Sequence, residues 1–292
     1  MSETAIHENI FAGISNGYYH FTASEKKVAD YVLAHKTAVQ YMSISELAEE
    51  CGVADATISR FCRRLKLSGY NAFKLAIAKL SGEDRSASLA ADSFSNPAYH
   101  GDSLLELGHN LCNTHTAAIN QSLTLLRPDR IKQAVDMMCQ ANRIYFMGQG
   151  GSMYMSMIAA HQFSTVSPCV FAVQDSHIQA STVALLSSND VVIFFSYSGS
   201  TKELMGNLNL ARKRNVKTIL ITRFSKSPGA AMADVVLQCG SDEGPLQLGS
   251  MPAKMAQLFL VDVLFHEYCR RTPDSARRSH ECIADALAER HL

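Results

Sequence analysis

After residue 140 the chain repeats a pattern that few architectures accommodate. Five short, mainly apolar runs rich in β-branched and aromatic residues follow one another: Arg143–Met147, Cys169–Val173, Asp190–Phe195, Lys217–Ile221 and Val235–Gln238. Between most of them lie amphipathic stretches long enough for crossover helices. Runs this short and apolar read as strands buried on both faces, and the alternation with helices makes them parallel. The expected fold class here is α/β, a doubly wound, five-stranded parallel sheet of flavodoxin-like order. In that order the first and third strands are neighbours where the winding reverses, and ligands bind at the crevice beyond their carboxyl ends.

The N-terminal part has a different period. Apolar residues recur at helical spacing, as in Val28, Val32 and Leu33 or Ile58, Phe61 and Leu65, so this part is expected to be all-helical. Between the two lies Ser81–Ser103, with six Ser, four acidic residues, two Gly and Pro97, a composition that buries little and reads as a linker. The expected organisation is a helical domain at 1–80, a linker at 81–103 and the sheet domain at 104–292, closed by a C-terminal helix.

Charge narrows the function. The 292 residues carry 27 Lys plus Arg and 27 Asp plus Glu, which excludes a uniformly basic nucleic-acid binder. The balance is local, however: Thr57–Leu80 holds six basic residues and no acidic one. No apolar run approaches the roughly 18 residues needed to span a bilayer, so no membrane partner is expected. The first twenty residues hold Glu3 and Glu8 and no Lys or Arg, which speaks against a secretory signal. Eight scattered cysteines without a CxxC pair read as reduced thiols in a cytoplasmic protein, and neither they nor the histidines have metal-site spacing. No metal and no cofactor are expected.

Ser43-Ile-Ser-Glu46 has the form of a capping box opening a helix through Leu47 and Ala48. Cys51-Gly-Val53 then interrupts, and a second helix begins near Ala54 or Asp55. Small Ala48, Gly52 four residues on, and apolar Leu47, Ile58 and Phe61 make a helix-turn-helix pattern, whose second helix enters the DNA major groove. If Ile58, Phe61 and Leu65 face inward, Thr57, Ser59, Arg60, Arg63 and Arg64 face outward as candidate DNA contacts. Arginine reads guanine or neutralises phosphate, and the hydroxyls suit either contact.

In the second part, Gly148-Gln-Gly-Gly-Ser152 follows the first strand and Ser196-Tyr-Ser-Gly-Ser-Thr201 the third. Both lie between a strand and a helix N-terminus, where free N–H groups and the helix dipole favour an anion. Neither contains Lys, so neither is a nucleotide P-loop, and Met153 stands where a dinucleotide fingerprint has its third glycine.

These motifs carry a resemblance. Phe21–Leu33, Ser43–Ala48, Ala56–Leu65 and Gly69–Lys74 resemble the RpiR family of bacterial transcriptional regulators. Two positions depart from its pattern: Ala54 stands where Ser usually caps the recognition helix, a task that would pass to Asp55, and Lys66 stands where Gly is usual. From about Arg127 to Arg271 the chain resembles the sugar isomerase (SIS) domain that follows the helix-turn-helix module in these regulators, through Asp175-Ser-His177, Asn189-Asp190, Ile221-Thr222, Ser227-Pro228 and Ala233-Asp234. The resemblance implies that Ser196, Ser198 and Thr201 hold the phosphate of a phosphosugar, with Gly150 and Ser152 contributing from the first loop. It also places Glu243 where a sugar-contacting or catalytic acid often stands, although an exposed loop carboxylate is an equal alternative. Likewise His177 either touches a sugar hydroxyl or serves the start of a helix. The chain has Gly229 where the family usually has Leu.

The expected function is therefore a regulator of sugar metabolism, a repressor whose affinity for operator DNA is set by a phosphosugar effector, acting as a homodimer or tetramer. The alternative is a phosphosugar isomerase carrying an extra helical module. No catalytic residue is assigned, since isomerisation needs a placed base and the sequence offers only Glu243 and His177.

Overall fold

The computed structural model describes residues 10–86, 103–241 and 251–288. The chain divides at Asn110/Leu111 into two compact units.

The N-terminal unit is helical. Its helices are α1 (Ile10–Gly17), α2 (Ala23–Ala34), α3 (Ile44–Glu50), α4 (Asp55–Arg64) and α5 (Tyr70–Ser86). Thr22 and Glu25 close a capping box at α2, and Ser43 and Glu46 close the expected one at α3. The core gathers Val28, Val32, Leu47, Ile58, Phe61, Phe73 and Ile77, all fully buried. The Phe61 ring sits 5.2 Å from that of Phe21 and 5.9 Å from that of Phe73, so one aromatic joins α4 to the segments on either side. Cys51 and Cys62 are buried in the same core, and burial pushes their thiols up to about 11 and about 12. Helix α5 continues through Ser86, beyond the expected start of the linker, and 87–102 lie outside the described residues.

The second unit contains the sheet. Helix α6 (Leu104–Leu125) begins before the boundary and continues into this unit, where α7 (Pro128–Gln140) leads into β1 (Arg143–Gly148), α8 (Gly151–Ser164), β2 (Val170–Val173), α9 (Ser176–Leu185) and β3 (Asp190–Phe195). Then come α10 (Lys202–Lys213), β4 (Lys217–Thr222), β5 (Val235–Gln238), α11 (Met251–Arg271) and α12 (Pro273–Ala288). All five expected strands form, in the order β2-β1-β3-β4-β5, and every pair is parallel.

Helices cover both faces. Val191, Ile193 and Phe195 point to the side of α7, α8 and α11, whereas Val192 and Phe194 join Val183, Leu204 and Leu208 on the side of α9 and α10. All six residues of β3 are buried, which is why its sequence shows no polar alternation. On α12, by contrast, Ile283 and Leu287 are exposed. Among the described residues no helix is long and apolar enough to cross a membrane.

One ion pair fixes how β1 meets β3. Asp190, the first residue of β3, is almost fully buried and accepts Arg143 Nε and Nη2, both at 2.9 Å, from the first residue of β1. It also accepts the Ser187 N–H and hydroxyl. Burial raises the carboxyl, but Arg143 and Ser187 outweigh it and hold Asp190 below its ordinary 3.8. A carboxyl lowered by folding stabilises above its unfolded value and loses that contribution as the pH falls through the folded one. Asp190→Asn is expected to lower unfolding stability at pH 7 by about 2–4 kcal/mol, less than a fully buried pair because Arg143 is half exposed. Urea melts between pH 7 and pH 3 should show the gap between wild type and variant narrowing only below about pH 4.

Candidate functional site

In the N-terminal unit, α3 and α4 form the helix-turn-helix. Gly52 adopts φ +61° and the Val53 N–H bonds the Ala48 carbonyl at 2.9 Å, the left-handed closure that ends α3 and turns the chain. Helix α4 ends in the same way, with Leu67 N–H on the Cys62 carbonyl at 3.1 Å and Lys66 at φ +63°. This backbone explains the family's usual glycine at position 66: the site is left-handed, which costs a side chain about 1–2 kcal/mol. Asp55 does not take over the missing cap. It is the first residue of α4, and its carboxylate accepts the Ser45 hydroxyl at 2.7 Å, while Ala54 offers no capping bond.

Of the five residues expected on the outward face, Arg60 and Arg63 are exposed and Ser59 is half-buried. Thr57 is a correction: it is buried, and its hydroxyl accepts Arg60 Nη2 at 3.2 Å. The reason is helical geometry, since Thr57 lies one turn before Phe61 and shares its inward side. Arg64 is exposed as well but turns back, donating from Nη1 to buried Glu25 at 2.7 Å.

The second site lies where β1 and β3 end. Gly148 and Phe195 are register partners, so the two loops leave the sheet side by side. Gly150 is the N-cap of α8 and Thr201 that of α10, and neither end has a side-chain capping bond. Two helix N-termini thus begin at one sheet edge, with Ser152, Ser198 and Thr201 half-buried around them. Such an arrangement holds an anion through backbone N–H groups, the helix dipole and hydroxyl donors. Ser196 differs from its neighbours. It is buried, and its Oγ accepts the Gly199 N–H at 3.2 Å, so it shapes the loop from within.

The surroundings of these loops are closely packed. Gly199 has φ +60°, and a Cβ there would lie 2.1 Å from Ser227 Oγ. Its carbonyl accepts the Gly229 N–H at 2.8 Å. A Cβ on Gly229 would meet that carbonyl at 2.7 Å, which accounts for glycine at this position. Thr222 Oγ1 and the Arg223 N–H donate to the Tyr197 carbonyl at 3.0 and 3.1 Å.

On the other side, a buried amide cluster was not anticipated from the sequence. Gln179 Nε2 donates to the carbonyls of Gly148 and Val173 at 3.0 and 2.8 Å, tying the ends of β1 and β2. Its Oε1 accepts Gln149 Nε2 at 2.8 Å and Asn207 Nδ2 at 3.3 Å, linking the first loop to α10. His177 is exposed, and Asp175 accepts the His177 and Ile178 N–H groups, both at 2.9 Å, as the cap of α9. Glu243 lies outside the described residues.

A helix-turn-helix in one unit and a doubly wound parallel sheet in the other define a class, the two-part transcriptional regulator with an SIS domain. Comparison with known proteins agrees. The "Helix-turn-helix domain, rpiR family" model matches residues 8–83 and the SIS domain model matches 137–267. A Caldanaerobacter subterraneus protein named as an uncharacterized HTH-type transcriptional regulator is 31% identical over 274 residues, covering 93% of this chain and 94% of that one. The structure of Vibrio vulnificus NanR complexed with ManNAc-6P superposes with TM-score 0.84 at 24% identity, covering 97% of this chain and all of that one. The sugar isomerase domain of an RpiR transcription factor from Sphaerobacter thermophilus gives TM-score 0.56 at 23% identity, covering 62% of this chain and 99% of that one. The chain belongs to the RpiR family of HTH-type transcriptional regulators.

The bracing makes a prediction. Gly199→Ala combines a left-handed backbone with a collision against Ser227, and is expected to cost about 2–4 kcal/mol. Adding Ser227→Gly should recover the collision part and leave the backbone part. Chemical denaturation of the two variants separates these contributions.

Proposed function

We propose that this regulator binds operator DNA through α4 and senses a phosphosugar in the crevice between β1 and β3, acting as a repressor that the ligand releases. The observation that carries this reading is the side-by-side start of α8 and α10, uncapped and surrounded by hydroxyls, on a chain whose other unit is a helix-turn-helix. An anion with a polyol body suits such a site: the phosphate takes the N–H groups, and the sugar hydroxyls meet the polar rim. That the NanR structure is a complex with ManNAc-6P supports the ligand class.

In this reading Arg60 and Arg63 contact DNA, with Ser59 beside them, while Ser198, Thr201, Ser152 and the Gly150 backbone hold the phosphate. The chain works in the cytoplasm as a homodimer or tetramer, because paired helix-turn-helix units address half-sites about one helical turn apart, or a multiple of it. Coupling of about 1–3 kcal/mol between ligand and DNA would alter operator affinity roughly 5- to 150-fold. Binding needs only donors, whereas aldose–ketose isomerisation needs a base beside the reacting carbons. A turnover assay with sugar phosphates is expected to show no conversion.

Three measurements test the proposal. Thermal-shift screening of sugar phosphates should find a ligand, since one at 100 times its dissociation constant adds about 2.7 kcal/mol. Ser198→Ala removes one donor to a charged group, worth about 1.5–3 kcal/mol, and should weaken that ligand roughly ten- to a hundredfold while sparing DNA affinity without ligand. Arg63→Ala should weaken DNA binding and, as a phosphate contact, flatten the salt dependence by about one. Loss of ligand-free DNA binding in Ser198→Ala, with ligand affinity intact, would reverse the division of labour.

A further inference from the structure

Helix α4 has only ten residues, yet its outward face must hold a fixed angle for its side chains to meet a groove. Its middle is fixed by Ile58, Phe61 and Cys62 in the core. Its two ends are fixed by polar bonds. At the start, Ser45 on α3 donates to Asp55 at 2.7 Å. At the finish, Arg64 Nη1 donates to Glu25 Oε2 on α2 at 2.7 Å, across 39 residues of sequence. The carboxylate is not a surface partner. Its side chain is 8% exposed, and the same oxygen accepts the Thr22 N–H at 2.8 Å and hydroxyl at 3.0 Å. A carboxylate withdrawn this far from water depends on its cation, and removing that cation leaves a buried charge unpaired.

We infer that Arg64 is a positioning residue, not a DNA contact: through Glu25 it holds the C-terminal end of the recognition helix to α2 and so sets the angle at which Arg60 and Arg63 are presented. The inference rests on the proposed DNA-binding role of α4. It divides the three arginines by task. All three are exposed, but Arg60 is oriented by Thr57 and Arg64 commits its guanidinium to the buried Glu25 carboxylate, whereas Arg63 stands outward. An arginine committed to a carboxylate releases no counterion when DNA arrives, and this separates anchor from contact experimentally.

The test uses the full chain and a DNA duplex selected by the wild-type protein from a random-sequence pool. Arg64→Met should lower affinity roughly tenfold, within the range that coupled neighbours show, with the salt slope unchanged. Arg63→Ala, measured alongside, should flatten that slope by about one. Glu25→Gln keeps the capping box, which accepts glutamine equally, but removes the charge. It should lower affinity in the wild-type background and have no further effect in Arg64→Met. Arg64→Lys should restore most of the binding, and with Glu25→Gln it decides the question if Arg64→Met fails to give a native circular-dichroism melt. A flattened slope in Arg64→Met, or losses that simply add in the double variant, would overturn the inference. If Arg60→Ala and Arg63→Ala both bind the selected duplex as the wild type does, the DNA-binding role of α4 falls, and the inference with it.

Discussion

The sheet-containing half of this protein depends on β1 and β3 lying side by side. That adjacency is the one place in the sheet where successive crossovers leave in opposite directions, opening a crevice between α8 and α10. Arg143 and Asp190 hold the strands in register at their entry, and the register delivers Gly148 opposite Phe195 at their exit. Both loops start from this pair. Each is then held from its outer side, the second by Thr222, Ser227 and Gly229 and the first by Gln179. In the proposed reading, a crevice supported in this way would keep its donors aimed before a ligand arrives, which lowers the ordering cost of binding.

In the N-terminal unit an aromatic takes the corresponding role. Phe61 lies on the inward side of α4 and touches both Phe21 and Phe73, so the recognition helix is seated by the same ring that fills the core. The outward side is what remains. Thr57, one turn before Phe61, is drawn inward with it, so the outward face of α4 is narrower than its polar residues suggest.

Much of this was legible in the sequence. Strands buried on both faces write themselves as unbroken apolar runs, so all five were found, and the glycine-hydroxyl loops after the first and third do leave neighbouring strands. The capping box at Ser43 was equally plain, because it needs only two residues three apart. What escaped has a common physical cause: its partner is distant in sequence. Gln179 and Asn207 look like surface amides on helices until folding brings Gly148, Val173 and Gln149 to them. Arg64 looks like any outward arginine until α2 supplies Glu25. Position 66 is the reverse case: a lysine gives no local sign of a left-handed backbone, and the family's glycine gave the only hint.

The buried thiols have a consequence for chemical reactivity. With Cys51 raised to about 11 and Cys62 to about 12, roughly one in ten thousand of the first and one in a hundred thousand of the second is thiolate at neutral pH. Cys112, Cys139, Cys169 and Cys282 are exposed and belong to the other unit. An alkylating reagent therefore sees the two halves of the chain very differently. Labelling at Cys51 and Cys62 waits for the helical core to open, so its rate is a built-in clock for the opening of the N-terminal unit.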